Sequence, residues 1–271
     1  MKKILAIAIT LSMLVLCAVP ALAAAPSGGT YFPLDDIGTL TTTGDRADKA
    51  GGNITFAEGK VGKAAVFDGY SGINLGNDLI KGKDYTVALW VKLDSKSSDW
   101  TPTFVGLPDA DHFLSIIPSN GDGNFGAWQH NAGSDPEWSD SYVEPLKLGA
   151  WTHIAVTASG GTLTIYKNGK AAAIVTDTGI NQGVAFDIFG NGGAFFLGTN
   201  YWDAPFKGAI DEVYVYNKAL SAAQIGDIFN GESTDPNAPV NPKTGDGSIA
   251  LIALLALVLA SGGIIAVKRK A

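Results

Sequence analysis

The stretch 152–175 reads THIAVTASGGTLTIYKNGKAAAIV and decides the fold class. Two runs rich in β-branched residues, 152–157 and 162–166, flank the pair Gly160-Gly161, and the second run leads into Asn168-Gly169. An Asn-Gly pair supplies the positive φ angles of a type I′ turn, so a second hairpin should continue into 171–175. The stretch therefore predicts three antiparallel strands in a meander.

The rest of 24–231 repeats this pattern of strands and turns. Short runs of Val, Ile, Thr, Phe and Tyr alternate with clusters of Gly, Asn and Asp, and the 34 glycines of the chain suit many tight turns. The run 86–93 is apolar on both faces, which predicts a central strand. Ser221 and Gln224 have the spacing of a capping box and Gly231 can end the helix, so one short helix is expected.

The N-terminus has the composition of a secretory signal. Lys2 and Lys3 precede an apolar run, and the small residues at 21–24 suit a signal peptidase, so residues 1–23 are predicted to be a signal peptide. The only cysteine, Cys17, lies in this leader and follows Leu16, whereas a lipoprotein signal has a small residue there. The mature chain is therefore predicted to contain no disulfide.

Residues 241–271 predict a second processing signal. The motif NPKTG at 241–245 precedes an apolar run, 249–267, that is long enough to cross a bilayer as a helix, and a basic tail follows. This order resembles the sorting signal that sortases of Gram-positive bacteria cleave between Thr and Gly, here Thr244 and Gly245. Asn241 replaces the commonest Leu, which leaves the sortase class open. An ordinary single-pass membrane anchor is the alternative, and residues 232–240 are interpreted as a linker.

The charge balance limits the class of partner. The chain has 26 acidic and 19 basic residues and a net charge of −7, and five of the basic residues lie outside the stretch 24–244 that is predicted to be retained. An acidic domain surface argues against nucleic acid or anionic lipid as a partner. Neutral sugars, basic proteins and divalent cations remain compatible with it.

Seven segments of the domain match a known pattern in order and spacing. They are YFPLD at 31–35, GKAAVFDG at 62–69, TVALWV at 86–91, WTHIAV at 151–156, LTIYKNG at 163–169, FLG at 196–198 and FKGAIDEV at 206–213. Together they resemble the laminin-G-like or concanavalin A-like jelly-roll family over nearly all of 24–231. The resemblance implies an all-β, two-sheet antiparallel jelly-roll sandwich with one short C-terminal helix, used to bind carbohydrate or protein.

Related sandwiches also include glycosidases, so individual residues must decide between binding and catalysis. A retaining glycosidase needs two carboxylates about 5 Å apart. In the catalytic relatives these lie on one strand as Glu-x-Asp-x-x-Glu, and that motif does not occur here. Asp211 and Glu212 are adjacent and are expected on opposite faces of a strand. His153 is interpreted as structural, and the chain is predicted to have no enzymatic activity.

Tryptophans in loop-like stretches mark the predicted ligand site. Flat aromatic faces pack on the C–H surfaces of sugars, while nearby polar side chains bind the hydroxyl groups. Trp90 and Trp151 fall in strand motifs and are interpreted as packing residues. The ligand-binding candidates are Trp100, Trp128, His130, Trp138, Trp202 and Asp203. The alternative interpretation is that these tryptophans only pin long loops onto the sandwich.

The family resemblance also implies a structural Ca²⁺ ion between the first strand and the Gly-x-Ile-Asp segment. The matching oxygen donors are Asp35 or Asp36 and Asp211. The alternative is that Asp211 accepts backbone N–H groups.

Taken together, the patterns predict a wall-anchored, non-catalytic module on the cell surface that binds extracellular glycan. An adhesin or structural protein with a protein ligand is the second interpretation, and a glycoside hydrolase is the third.

Overall fold

The computed structural model describes residues 28–94, 100–175 and 182–231. Within these ranges no helix is long and apolar enough to span a bilayer. The predicted signal peptide, the linker 232–240, the sorting motif with Thr244 and Gly245, and the transmembrane segment 249–267 lie outside the described residues. They therefore stay predictions.

The described chain forms two antiparallel β-sheets and one helix, which confirms the predicted fold class. The strands are β1 Gly29–Phe32, β2 Thr41–Thr43, β3 Thr55–Glu58, β4 Lys63–Asp68, β5 Gly72–Asn77, β6 Tyr85–Leu93, β7 Phe104–Leu107, β8 His112–Ile117, β9 Phe125–Asn131, β10 Trp138–Val143, β11 Trp151–Ser159, β12 Thr162–Lys167, β13 Lys170–Ala171, β14 Ala194–Leu197 and β15 Lys207–Tyr216. The helix is α1, Ala222–Asn230.

The strand order separates the two sheets clearly. The first sheet has the order β13-β12-β11-β6-β15-β4-β3, with β1 also paired to β15, and the second has the order β10-β9-β8-β7-β14-β5-β2. Strands that are distant in sequence, such as β6 and β15, are neighbours in the first sheet. This interleaved order is what a jelly-roll sandwich requires.

The hydrophobic core fills the space between the sheets. β6 lies centrally in the first sheet between β11 and β15, and its residues Val87, Leu89 and Val91 are buried in the core. Leu114 and Phe125 meet this core from the second sheet. Each such side chain contributes about 1.5–3 kcal/mol through burial, and the central position of β6 is confirmed.

The predicted meander is present, with a short third strand. Asn168 and Gly169 have φ angles of 51° and 76°, the positive pair expected for the type I′ turn between β12 and β13. β13 ends after Ala171 because the chain leaves the first sheet and Val175 bridges to Tyr142 of β10 in the second sheet. Because the chain crosses between the sheets here, β13 is shorter than the strand predicted to continue over 171–175.

Helix α1 begins and ends where the sequence predicts. The Ser221 hydroxyl accepts the N–H of Gln224, the Gln224 side chain accepts the N–H of Ser221, and Gly231 ends the helix with φ 72°. Ile225 and Ile228 are buried against Tyr214 and Tyr216 of β15. The helix therefore covers the outer face of the first sheet, the face opposite the core.

Two details of the strands correct the sequence interpretation. Trp128 and Trp138 lie in β9 and β10 and not in loops. The alternation of apolar and polar residues in β9 is obscured because Gln129 stands at an inward, buried position. Its side-chain amide donates a hydrogen bond to the carbonyl of Val184.

The second correction concerns Asp211 and Glu212. The pairing of β15 with β6 shifts register after Asp211, and Glu212 has φ 52°. Because of this bulge, Asp211 and Glu212 do not take opposite faces. Asp211 stands opposite Trp90, and Glu212 accepts the hydroxyl of Tyr31, so both contact the helix-covered side of the sheet.

Candidate functional site

The register of three strands brings aromatic residues together on the outer face of the second sheet. Phe113 of β8 stands opposite His130 of β9, and His130 stands opposite Trp138 of β10. Residues that are directly opposite in an antiparallel sheet project from the same face. Trp128 lies two residues before His130 and joins the same face.

These rings line a cleft of about 270 Å³. The loop after β14 supplies its other wall. The lining residues are Ala110, Phe113, Trp128, His130, Trp138, Trp202 and Asp203. Trp138 is 39% exposed and Trp202 is 41% exposed, whereas the aromatic residues of the core are buried. Two large aromatic surfaces therefore remain in contact with solvent at one place.

Phe113 is the ring on which the cleft is assembled. Its centroid lies 5.0 Å from Trp128, 5.0 Å from Trp202, 5.7 Å from His130 and 6.0 Å from Trp138. It is 3% exposed, so it forms the floor and the other rings form the walls. Phe113 could not be identified from the sequence, because a phenylalanine in a strand is usually a core residue and only the pairing with β9 reveals its face.

The remaining rings stack on one another. The Trp138 ring lies 4.0 Å from the His130 ring at an angle of 18°, and 5.4 Å from the Trp128 ring at 13°. Such near-parallel contacts each add about 0.5–1.5 kcal/mol beyond area burial. The walls are therefore held in place before any ligand arrives.

Trp100, the sixth ligand-binding candidate, does not line the cleft. Its ring lies 5.0 Å from Trp128 and 6.3 Å from Tyr142. Trp100 therefore supports Trp128 from the side, in agreement with the packing interpretation for this residue. The structure brings the other five predicted residues together.

One polar side chain is held in the wall beside the rings. The Oδ2 atom of Asp203 accepts a hydrogen bond of 2.7 Å from the Nδ2 group of Asn200. Burial raises the pKa of Asp203, while the hydrogen bond from Asn200 and the charge of Arg46 act in the opposite direction. Asp203 can accept hydrogen bonds from ligand hydroxyl groups.

The predicted calcium ligands lie away from the cleft. The Oδ2 atom of Asp211 accepts the backbone N–H groups of Lys60 at 2.7 Å and Val61 at 3.0 Å, as in the alternative interpretation. The Oδ1 atom of Asp35 accepts the N–H of Lys63 at 2.6 Å, and Asp36 is exposed. Burial raises the pKa of Asp211 to about 7.

The fit of calcium to these residues is partial. The Oδ1 atom of Asp211 is buried and has no hydrogen-bond partner among the described residues, so a cation would suit it. Ca²⁺ takes six to eight oxygen ligands, and in the described ranges no cluster of three or more His, Cys, Asp or Glu residues could hold a metal ion. The donors match calcium in kind but not in number, and the ion stays a prediction.

His153 is structural in its surroundings, as predicted. It is fully buried between Trp90 and Phe229 of α1, with ring centroids at 5.3 and 5.8 Å. Burial lowers its pKa to about 3, and within the described part of the chain neither ring nitrogen has a hydrogen-bond partner.

A family model described as the concanavalin A-like lectin/glucanase superfamily matches residues 67–226. The chain belongs to this superfamily. Among solved structures, it is 37% identical to domain 4 of AbnA, a GH43 extracellular arabinanase from Geobacillus stearothermophilus, solved in complex with arabinotriose. That similarity covers 75% of this chain and 98% of the other, with a TM-score of 0.64.

Two other solved structures are similar to the chain in fold alone. The binding domain of Paraclostridial Mosquitocidal Protein 1 is 16% identical, over 77% of this chain and 52% of the other, with a TM-score of 0.49. A CBM40 domain of a Ruminococcus gnavus sialidase, bound to sialyllactose, is 16% identical over 55% of this chain and 84% of the other, with a TM-score of 0.42. No curated protein sequence matches the chain.

Proposed function

We propose that this domain is a non-catalytic module that binds a glycan in the cleft on the outer face of the second sheet. The observation that carries the proposal is the convergence of two exposed tryptophans, further stacked rings and one carboxylate at a single place. Sugar-binding sites combine flat apolar faces with a few oriented polar groups. The cleft has both.

Each wall contributes a different interaction. The exposed ring surfaces of Trp138 and Trp202 are available to pack on the C–H faces of sugar rings, which removes apolar area from water. Asp203 and His130 stand beside these rings and can bind hydroxyl groups. Because the rings are already packed on Phe113, little side-chain entropy is lost on binding.

The composition of the cleft supports binding without hydrolysis. Glycosidases use two carboxyl groups, about 5–5.5 Å apart in retaining enzymes and about 6.5–9.5 Å apart in inverting ones. Asp203 is the single carboxylate among the described residues that line the cleft. Asp211 and Glu212 do lie close together, but both are buried on the helix-covered side of the other sheet.

The relative with 37% identity suggests which glycan to try first. Its domain 4 was solved with arabinotriose, and this chain spans 98% of that domain. We therefore take arabino-oligosaccharides as the first ligand class for this cleft, followed by other neutral plant and microbial oligosaccharides.

The test is isothermal titration of the purified protein with arabinotriose and a panel of neutral oligosaccharides. We expect Trp138→Ala and Trp202→Ala each to weaken binding by at least tenfold, since each removes an exposed stacking surface. Tyr70→Ala is the matched control, because Tyr70 is 74% exposed and does not line the cleft. Binding that survives both tryptophan substitutions would rule out this cleft, and a blank panel would favour a protein ligand.

We also propose that the module is displayed on the cell wall. This rests on the sequence of the predicted signal peptide and of the NPKTG sorting signal, which lie outside the described residues. Substituting Thr244→Ala should move the protein from the wall fraction to the membrane fraction of cells that express sortase. If the Thr244→Ala protein is still found in the wall fraction, attachment by sortase is contradicted.

A further inference from the structure

The wall that carries Trp202 and Asp203 is organised by one buried side chain, Asn200. Its Oδ1 atom accepts the backbone N–H of Trp202 at 2.9 Å and that of Asp203 at 2.7 Å. Its Nδ2 group donates to the Oδ2 atom of Asp203 at 2.7 Å. Asn200 is fully buried, so its own side-chain amide is shielded from water while it holds these three bonds.

The backbone of Asn200 ties the same wall to a second loop. Its carbonyl oxygen accepts the N–H of Ala47 at 2.9 Å, and Ala47 is buried in a small cluster with Phe113. Arg46 precedes Ala47, and its charge acts on Asp203. The loop after β14 is therefore fixed to the floor of the cleft and to the loop after β2.

This arrangement leaves a defined acceptor in the cleft. The Oδ2 atom of Asp203 is occupied by Asn200, while within the described part of the chain the Oδ1 atom accepts no hydrogen bond. Asp203 lines the cleft, so Oδ1 is the oxygen that remains for a ligand. A carboxylate oxygen that accepts a hydroxyl proton forms a strong, short hydrogen bond.

We propose that Asn200 is a positioning residue that fixes Asp203 as the hydroxyl acceptor of the cleft, and that this pair restricts the ligand to uncharged sugars. The inference rests on the proposed glycan-binding function and names its ligand class. A sugar with a carboxylate would place like charges together in a partly desolvated cleft, where their repulsion is stronger than in bulk water.

Charges near the cleft give little compensation for an acidic sugar. Among the described residues that line the cleft there is no lysine or arginine. Asp109 and Asp111 flank the lining residue Ala110 and are exposed. Arg46 is not among the lining residues, and its charge acts on the Asp203 carboxylate.

Three proteins test the pair by titration with arabinotriose and with trigalacturonic acid. They are the unsubstituted protein, Asp203→Asn and Asn200→Asp. Asp203→Asn removes the charge and keeps the shape of the side chain. Asn200→Asp keeps the acceptor for the two backbone N–H groups but replaces the donor to Asp203 by a second carboxylate. A melting temperature for each variant shows that the loop and the domain stay folded.

We expect the unsubstituted protein to bind arabinotriose at least tenfold more tightly than trigalacturonic acid. Asp203→Asn should reduce this preference by about tenfold or more. Asn200→Asp should weaken arabinotriose binding by about tenfold, since a hydrogen bond that orients a charged acceptor is lost. A purely structural role of Asn200 would not produce this loss, because the turn it caps is retained.

The outcomes separate the two proposals. Equal binding of the neutral and the acidic trisaccharide, or an unchanged preference in Asp203→Asn, overturns the inference. The proposed function still stands in that case if binding depends on Trp138 and Trp202. Unchanged affinity in Asn200→Asp overturns the positioning role of Asn200. If the protein binds trigalacturonic acid alone, the inference fails and the glycan-binding function stands. If it binds neither of these two sugars nor any sugar of the neutral panel, both fail.

Discussion

Phe113 shows how one side chain can decide the shape of a binding surface. It touches four other rings of the cleft and carries almost no exposed surface itself. We expect Phe113→Leu to weaken glycan binding several-fold, because the walls lose the flat surface on which they stand. Because Leu is smaller than Phe, the substitution at this buried position should also lower the stability of the domain.

Titration and chemical denaturation of this variant check the prediction together. Phe104→Leu is the control, since Phe104 is buried in the main core. Loss of stability in both variants with unchanged glycan affinity would contradict the role of Phe113 in the cleft.

The site could be predicted from residue types only in part. The tryptophans, the histidine and the aspartate that were predicted from their side-chain chemistry to bind sugar do lie together in the structure. Phe113 and Asn200 could not be found that way. The role of Phe113 depends on which face of β8 is outward, and the role of Asn200 depends on the local turn that its own side chain closes.

At the scale of elements, helix α1 helps to bury His153, and the packing of the helix on the first sheet should therefore depend on pH. The neutral imidazole is favoured in the fold, where the pKa is lowered to about 3, whereas the unfolded chain binds a proton near the ordinary value of 6.5. The unfolded state therefore gains protons first as pH falls. The stability that neutral His153 contributes is fully present above about pH 6.5 and is lost progressively as the pH falls toward 3.

We expect His153→Phe to flatten this loss. The phenyl ring fills the space between Trp90 and Phe229 and leaves no unpaired nitrogen, so the variant should gain stability relative to the unsubstituted protein by several kcal/mol as pH falls from 6.5 to 3. Urea unfolding at several pH values measures the difference. His112→Gln, at the surface beside Asp109, is the control. Parallel pH profiles for His153→Phe and the unsubstituted protein would contradict this account.

The cap of α1 is a second test at this scale. Ser221→Ala removes the side-chain acceptor for the N–H of Gln224 and should cost about 1 kcal/mol, while Ser221→Asp, which can also cap, should cost little. Thermal unfolding of the two variants compares them. Equal losses would show that the capping bond does not stabilise the domain.

The elements themselves were predictable where local chemistry acts alone. The Asn-Gly turn and the capping box need only a few neighbouring residues, and both are present as predicted. Strand β9 was missed because its inward face includes Gln129, whose amide is satisfied by residues far along the chain. The bulge at Asp211 was missed because it depends on pairing with β6.

At the scale of the whole molecule, the predicted Ca²⁺ ion can be tested through the stability of the domain. If Ca²⁺ binds Asp211, it should raise the melting temperature in proportion to the logarithm of its concentration above the dissociation constant. Chelator should reverse the shift, and Asp211→Asn should abolish it. The same melting temperature in millimolar calcium and in excess chelator would exclude the predicted ion.

The most direct test of the central claim uses the indole N–H signals of the six tryptophans in an NMR titration with arabinotriose and the neutral panel. Glycan binding in the cleft should shift the signals of Trp138 and Trp202, while those of Trp90 and Trp151 on the first sheet stay in place. Shifts confined to Trp90 or Trp151, or no shift with any sugar of the panel, would contradict glycan binding on the second sheet.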